Sequence, residues 1–461
     1  MHAPLRRRTL SESPARYVVA SFLAAIAVGT VLLMLPVSSA RGEHTTAITA
    51  AFTSTSAVCV TGLNVVDTAT HWSGFGQAVI LALIELGGLG FMTIASLIVL
   101  LVSKRLGLGQ QMVTQTERST LRFGEVREML RRVGAITLTV QLLLALWLAL
   151  RFASSYGRPA GNALWMGAFH SIAAFNNAGF ALQRDSLTPF RSDWLVLVPM
   201  MAAIIIGGLG FPVLADLDRN VFRTRWERRR RLTQRWDSLS LHSKLTLSVT
   251  LTLLVVGCVL FGAFEWANPR TFGPMPWPEK VLNAMFASVT PRTAGFNTVP
   301  IDLMRPVSLL CTIVLMFIGA GSAGTSGGIK VGTFSILALV IWAQLRGEPD
   351  VTGFRRRIPL STERNATTVA LLAVGLVVVG TSALLVSARV GLTSALFESV
   401  SAFGTVGLST GITPRLPSPD LLILMGLMLV GRVGPITLGA ALVLRSRPTR
   451  SRVPEEAPLI G

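Results

Sequence analysis

Four short loops that end in glycine carry the residues of this chain whose types and spacing could do chemistry. Each loop follows an apolar stretch that opens with phenylalanine, any residue and serine, and the four recur at near-equal intervals. Recurrence of this kind indicates one structural unit used several times. The core tripeptides are Val60-Thr61-Gly62, Asn177-Ala178-Gly179, Thr293-Ala294-Gly295 and Thr405-Val406-Gly407.

The chemistry that suits these loops is coordination of a dehydrated cation. A cation that leaves water needs oxygen ligands, and rings of backbone carbonyls provide them. Glycine permits the backbone angles that turn several carbonyls to one side. None of the tripeptides contains Asp or Glu, which favours potassium over small cations that need carboxylates. The alternative is that the glycines serve close helix packing, but four matched positions argue against it.

Composition places the loops in an integral membrane protein. Of the 461 residues, 51% are hydrophobic and 14% are charged, and long apolar runs recur. The net charge of +19 would suggest nucleic acid for a soluble protein. Most of the basic residues lie in short segments between the apolar runs, which is a topology signal, so we expect no nucleic-acid partner. The three cysteines and five histidines form no metal or catalytic spacing, so we expect no enzyme activity and no cofactor bound by this chain.

The predicted fold class is an all-α membrane protein. Each repeat consists of a spanning helix, a short re-entrant helix, a glycine loop and a second spanning helix, giving eight spanning helices in a pseudo-fourfold arrangement around one pore. The short helices are too short to cross a bilayer and too apolar for free loops, so they should be buried in protein or line water. All four repeats enter the membrane in the same sense, unlike the inverted repeats of many carriers, which favours a channel-like path.

The predicted boundaries divide the chain into four repeats joined by basic segments. The repeats cover 17–102, 133–214, 241–342 and 367–444. The segments 1–16, 103–132, 215–240, 343–366 and 445–461 should be cytoplasmic because they are rich in Lys and Arg. We therefore expect a plasma-membrane protein with both termini in the cytoplasm. The four short helices should begin near Thr45 and Thr46, at the caps Asn162 and Thr393, and at Pro278.

The third repeat contains a glycine-rich segment, 319–330, that should interrupt its second helix. Its five glycines each cost roughly 1 kcal/mol in a helix relative to alanine. Irregular backbone at membrane depth suggests a cavity lining, so we expect a gate below the glycine loops. A phosphate-cradling loop is the alternative, but no Walker spacing precedes Lys330. The gate residues are Gly319, Gly321, Ser322, Gly324, Thr325, Ser326, Gly327, Gly328, Lys330 and Arg432.

Arg432 lies in the middle of the last predicted spanning helix, where an arginine costs roughly 3 kcal/mol. We expect it to face the cavity, to contact carbonyls or hydroxyls of the glycine-rich segment, and to act as an electrostatic and steric barrier. The alternative is a structural pairing with Glu85 or another buried acid. Gly87-Gly88-Leu89-Gly90-Phe91 and 207–211 repeat one glycine pattern. We interpret it as close helix packing or a bend, with no ligand.

The four loops in order resemble the filter loops of the Trk/Ktr/HKT superfamily of potassium transporters, and are most similar to those of KtrB-type subunits. The matching stretches are 56–63, 174–180, 290–297 and 401–408. The resemblance implies potassium uptake across a bacterial plasma membrane through a filter made of the four tripeptides. It also implies a homodimer with one pore per protomer, a regulatory cytoplasmic nucleotide-binding ring of KtrA (RCK) type, and a gating role for 319–330.

Several features leave alternatives open. Each loop has one glycine where tetrameric potassium channels have two, so a looser filter with sodium as a modulator is one expectation. The third loop is one residue shorter between its phenylalanine and its glycine, which leaves its local geometry open. The basic segments suit anionic lipid as well as a docked partner. The alternative function is a Trk-type carrier coupled to sodium or protons, for which Glu85 and Glu398 are the candidate carboxylates.

Overall fold

The computed structural model describes residues 14–89, 123–219 and 236–444. Helices make up nearly all of its regular structure, and the one small sheet is an antiparallel hairpin of Thr352–Gly353 and Arg356–Arg357. The prediction of an all-α chain is therefore confirmed. The predicted second-helix residues 90–102 lie outside the described residues, as do 1–13, 103–122, 220–235 and 445–461.

One order of elements occurs four times, and we call each occurrence a unit. A long helix opens the unit, a short helix follows, a glycine loop comes next, and a second helix closes it. The long helices are Pro14–Met34, Phe123–Tyr156, Leu241–Glu265 and Leu360–Ala388. The short helices 1 to 4 are Ala47–Val58, Ala160–Asn176, Trp277–Val289 and Leu392–Gly404. The second helices are Gly74–Leu89, Trp194–Leu209 with Phe211–Leu217, Pro306–Phe317 with Val331–Leu345, and Ser418–Leu444.

Within the described ranges, three helices are long and apolar enough to cross a membrane. They are Arg131–Tyr156, Leu241–Glu265 and Leu360–Ala388, and the bent pair Trp194–Leu209 and Phe211–Leu217 makes a fourth if it counts as one span. The second helices of units 1 and 3 are shorter, because Gly74–Leu89 adjoins residues outside the described ranges and the unit 3 helix is interrupted between Phe317 and Val331. Long-helix residues such as Leu143 and Val259 expose more than half of their surface, as suits lipid contact.

Glycine accounts for both irregular second helices. In unit 2 the axis turns by 100° at Gly210, whose φ of 86° is a left-handed value that favours glycine. In unit 3 the helix ends at Phe317 and resumes at Val331. Between these ends Gly319 donates its N–H to Ile329 at 2.8 Å, and Val331 donates to Ala320 at 3.0 Å, so the intervening chain leaves the helix and returns to it.

The short helices begin partly where expected. Thr46 is the N-cap of short helix 1, and Pro278 lies in the first turn of short helix 3. The predicted caps Asn162 and Thr393 are wrong, because extended backbone at Pro159 and Gly391 places the helix starts earlier. Both side chains therefore lie inside the first turn, and neither helix has a side-chain cap hydrogen bond.

The short helices lie inside the protein. Residues 52–58 of short helix 1 and 397–404 of short helix 4 are buried without exception. Their apolar side chains enter hydrophobic clusters that also contain residues of the surrounding long helices. Because segments this short are tolerated at membrane depth only when protein surrounds them, this burial is what their position requires.

Candidate functional site: the glycine loops and the segment beneath them

All four glycine loops have the same backbone conformation. The first and third residues of each tripeptide have positive φ, and the second does not. The values are 56° and 90° at Val60 and Gly62, 60° and 69° at Asn177 and Gly179, 74° and 75° at Thr293 and Gly295, and 49° and 92° at Thr405 and Gly407. Left-handed angles are strained for β-branched residues such as Val and Thr, and strain of this kind collects at functional sites.

The four loops touch one another in chain order and close into a ring. A Cβ added to Gly62 would strike the carbonyl oxygen of Ala178, and one added to Gly179 would lie 3.0 Å from the Cα of Gly295. In the same way, Gly295 faces Gly407, with its absent Cβ 3.3 Å from that Cα. Gly407 faces Gly62 at 3.1 Å and so completes the ring.

The ring therefore has no room for side chains at its glycines. Each position combines a left-handed φ with a neighbouring backbone where a Cβ would be. In three of the four cases the nearest atom to that absent Cβ is a carbonyl oxygen, from Ala178, Val406 or Thr61. Carbonyl oxygens of adjacent loops thus lie against the glycines, which is the ligand type that a dehydrated cation needs.

The ring forms the floor of a cavity of about 670 Å³. All four loop glycines line it, together with the side chains of Asp67, Asp185 and Asp302 and one arginine, Arg184. Three carboxylates against one guanidinium give the cavity a net negative lining. A low-dielectric cleft lined by one sign of charge concentrates ions of the other sign, so a lining of this sign suits cations.

Serine hydroxyl groups accept hydrogen bonds from the glycine N–H groups of two of the loops. Gly62 donates its N–H to Ser56 Oγ at 3.0 Å, and Gly407 donates to Ser401 Oγ at 3.1 Å. In loop 2 the equivalent residue is Ala173, whose carbonyl accepts from Ala178 but which has no hydroxyl. The ring is therefore supported unevenly.

Loop 3 differs because it is one residue shorter. Its equivalent residue, Thr290, uses its hydroxyl to donate to the carbonyl of Phe296. Gly295 donates its N–H to the main-chain oxygen of Thr290 at 3.5 Å. Thr293 and Gly295 still have left-handed φ, so the shorter loop has the backbone of the other three with different hydrogen bonds.

The glycine-rich segment 319–330 contacts units 2 and 4, which occupy opposite positions in the ring. On the unit 2 side, Gly321 donates its N–H to Gly208 at 2.8 Å, and Thr325 Oγ1 donates to Phe175 at 3.4 Å. On the unit 4 side, an added Cβ at Gly327 would strike the hydroxyl of Thr405. The segment thus passes beneath the ring from one side to the other.

Arg432 binds the same segment from unit 4. It is fully buried, and its guanidinium donates to the carbonyl of Thr325 and to the carbonyl of Gly87 at 2.9 Å. Lys330 donates to the carbonyl of Ser326 within the segment. The charged side chain predicted for this helix, that of Arg432, therefore contacts the glycine-rich segment and the second helix of unit 1.

The two candidate coupling carboxylates are engaged elsewhere. Glu85 accepts from the amides of Gln141 at 3.0 Å and Asn176 at 2.7 Å. Glu398 accepts from Ser409 at 2.5 Å and from Thr413 at 2.8 Å. Neither carboxylate lines the cavity above the ring. Both stabilise the chain next to a glycine loop.

The repeated glycine pattern 87–91 and 207–211 combines close packing with a bend. Gly87 and Gly207 pack against the carbonyl oxygens of Val58 and Phe175, near the ends of short helices 1 and 2. Gly431 packs in the same way on Phe403 in unit 4. The bend is at Gly210, and residues 90 and 91 lie outside the described part of the chain.

Comparison with known proteins identifies the family. The model of the TrkH family, described as a cation transport protein, matches residues 8–448. The chain belongs to the TrkH family. This confirms the predicted membership of the Trk/Ktr superfamily.

Three relatives and one solved structure resemble this TrkH-family chain over most of its length. "Ktr system potassium uptake protein B" of Bacillus subtilis (strain 168) is 38% identical, over 92% of each chain. The protein of the same name from Vibrio alginolyticus is 36% identical, over 97% of this chain and 94% of that one. "Potassium/sodium uptake protein NtpJ" of Enterococcus hirae is 35% identical, over 97% of each. The crystal structure of the potassium transporter TrkH from Vibrio parahaemolyticus superposes with a TM-score of 0.72 at 16% identity, over 98% of this chain and 88% of that one, and shows the same fold.

One buried residue of this TrkH-family chain was absent from the predicted site. Arg292, in glycine loop 3, is 4% exposed. It donates to Thr250 in the long helix of unit 3 and to the carbonyl of Gly319 at 3.4 Å. Its signal in the sequence is an arginine inside a loop whose neighbours are otherwise uncharged, at the depth of the glycines.

Proposed function

We propose that this chain passes potassium into a bacterial cell through the ring of four glycine loops, which acts as its ion filter. The observation that carries the proposal is the closed ring, in which each glycine faces the next loop and four tripeptides share one left-handed backbone pattern. The names of its relatives, which are potassium uptake proteins, support potassium as the ion.

The physical account begins with the short helices. All four end next to a glycine loop, at Val58, Asn176, Val289 and Gly404, so their C-terminal ends converge on the ring. A helix C-terminus carries roughly half a negative charge, and the acidic cavity above adds to the attraction. Carbonyl oxygens then replace the water shell of the ion. The membrane potential provides about 2.3 kcal/mol per charge at 100 mV, which supports roughly fifty-fold accumulation without ATP.

The glycine-rich segment closes this path in our proposal, with Arg432 as its main clamp. The segment passes beneath the ring, and a guanidinium held against it repels cations. A cytoplasmic nucleotide-binding ring of KtrA type would move the segment and so regulate flux. The proposal also includes eight spanning helices with four re-entrant segments, cytoplasmic termini, a homodimer with one pore per protomer, anionic lipid at the basic segments, and sodium as a modulator.

Uptake into proteoliposomes under an imposed inside-negative potential tests the function. Wild type should take up potassium in preference to sodium with no sodium or proton gradient present. Gly295→Ser should lose that preference, because its side chain would meet Val406 and Gly407. Gly157→Ser is the matched control, since Gly157 has a similar left-handed φ of 60° and no atom within 4 Å of an added Cβ.

Each outcome of this experiment has a distinct meaning. Flux that requires a sodium or proton gradient would replace the channel-like mechanism by a coupled carrier. Flux with equal selectivity in wild type and Gly295→Ser would remove the filter from the ring. Loss of selectivity in the Gly157→Ser control as well would mean that backbone strain in general, and not the ring, caused the effect.

A further inference from the structure

Arg292 is a buried charged residue that the proposed mechanism leaves unused. It directly precedes Thr293 in glycine loop 3, and its guanidinium donates to the main-chain oxygen of Thr250 at 3.1 Å and to the Thr250 hydroxyl at 3.3 Å. Its third acceptor is the carbonyl of Gly319 at 3.4 Å. All of its hydrogen-bond partners in the described part of the chain are neutral oxygens.

The position of Gly319 explains why the guanidinium of Arg292 is stable beside it. The helix Pro306–Phe317 ends two residues before Gly319. A helix C-terminus carries partial negative charge, which a guanidinium compensates. Arg292 thus places its positive charge beside the C-terminal end of the interrupted helix.

Arg292 also joins two parts of the proposed mechanism. Its backbone belongs to glycine loop 3, and its side chain holds the first residue of the glycine-rich segment. Thr293 and Gly295 follow with φ values of 74° and 75°, and Gly295 packs against loops 2 and 4 of the ring. Any displacement of Gly319 therefore either breaks the bond to the guanidinium or pulls on the chain that leads into the ring.

We propose that Arg292 is a positioning residue that anchors glycine loop 3 to the start of the glycine-rich segment at Gly319, so that this anchor, and not the closure of the segment at Thr325, sets how strictly the ring selects potassium. This inference rests on the proposed function. With the segment in place, the guanidinium is fixed at both ends and loop 3 is held. With the bond to Gly319 lost, loop 3 loses one of its anchors and the filter loosens.

Arg432 provides the comparison that separates gating from coupling. It binds the same segment at Thr325 and also contacts Gly87, but its backbone belongs to no glycine loop. Arg432→Met should therefore free the segment without altering the ring directly. Arg292→Met should free the segment and release loop 3 together. Arg292→Lys retains a positive charge and a donor, so it should lie between wild type and Arg292→Met.

The test measures potassium and sodium uptake into proteoliposomes at a fixed inside-negative potential without a regulatory partner. We expect both methionine variants to raise basal potassium uptake. Only Arg292→Met should lower the potassium-to-sodium ratio, by about tenfold, as expected for the loss of a hydrogen bond to a charged group. Arg292→Lys should restore part of the ratio. Arg151→Met is the control, since Arg151 pairs with Asp193 at 2.9 Å and contacts no glycine loop.

An unchanged ratio in Arg292→Met, with wild type active, would overturn the coupling and leave the proposed function standing. A similar loss of selectivity in Arg432→Met would also overturn it, because freeing the segment alone would then be sufficient. Absence of potential-driven flux in wild type and in both methionine variants, whose segment is released, would overturn the proposed function and the coupling with it. If gel filtration and thermal unfolding show that Arg292→Met is not folded, the potassium-to-sodium ratio of Arg292→Lys is compared with that of wild type. A ratio equal to the wild-type value would then overturn the coupling.

Discussion

The hydroxyl of Ser56 offers a direct test of how the ring is held. It accepts the N–H of Gly62 at 3.0 Å, and both residues are buried. Ser56→Ala leaves that N–H without its acceptor on the side of the loop that faces the buried Ser56. An unsatisfied buried donor costs about 1–3 kcal/mol. If the whole cost falls on the ion-binding conformation of loop 1, the selectivity for potassium drops by between about fivefold and about a hundredfold.

Ser399→Ala is the matched control for this substitution. Ser399 lies in short helix 4 and is equally buried, but its hydroxyl has no hydrogen-bond partner among the described residues. Potassium and sodium uptake into proteoliposomes under an imposed potential should therefore fall in selectivity for Ser56→Ala and remain at the wild-type value for Ser399→Ala. Thermal unfolding of the purified proteins checks that both are folded. Equal selectivity in the two variants would refute the claim that hydroxyl support sets the geometry of the loop.

Three further predictions concern the bend at Gly210, the contact of Arg432 with the glycine-rich segment, and the protonation of His71. Gly210→Ala should destabilise the protein and raise basal uptake, because φ is 86° there and the new methyl group would strike the carbonyl of Ser322. Gly426→Ala, with nothing within 4 Å, should be neutral or slightly stabilising in thermal unfolding. Arg432→Met should raise basal potassium uptake without a regulator, and unchanged uptake would exclude its role as a clamp. Burial, and then the nearby charge of Arg41, lower the pKa of His71 below its ordinary value of 6.5. Its contribution to stability should thus be complete above that pH and decline as the pH falls below it, and His71→Gln should remove this part of the pH dependence of unfolding.

Glycine made much of the site predictable from the sequence. The four loop glycines and the interruption at 319–330 depend on one local property, the conformational freedom of a residue without a Cβ. The residue type alone indicates that property. The helical fold followed from apolar runs in the same way. The helix starts at Asn162 and Thr393 were wrong because a polar side chain near a start indicates a cap but does not decide where the preceding extended backbone ends.

Other features depend on contacts between distant residues, which the sequence alone does not predict. Val60 and Thr405 adopt left-handed angles that their β-branched side chains resist, so only the closed ring, and no local preference, accounts for them. Arg292 has its acceptors at Thr250 and Gly319, which are distant in sequence and meet only because the second helix of unit 3 is broken. The support of loops 1 and 4 by Ser56 and Ser401 likewise depends on which of many serines faces the loop.

The glycine-rich segment is linked to all four units of the protein. Unit 2 binds it through Gly208 and Phe175, unit 4 through Thr405 and Arg432, and unit 3 through Arg292. Through Arg432, it is also tied to Gly87 of unit 1. Because these bonds share one short piece of chain, displacing the whole segment requires several of them to break together. In the proposed mechanism opening would therefore be cooperative, and the fraction of conducting molecules should rise steeply over a narrow range of the force that a regulator applies.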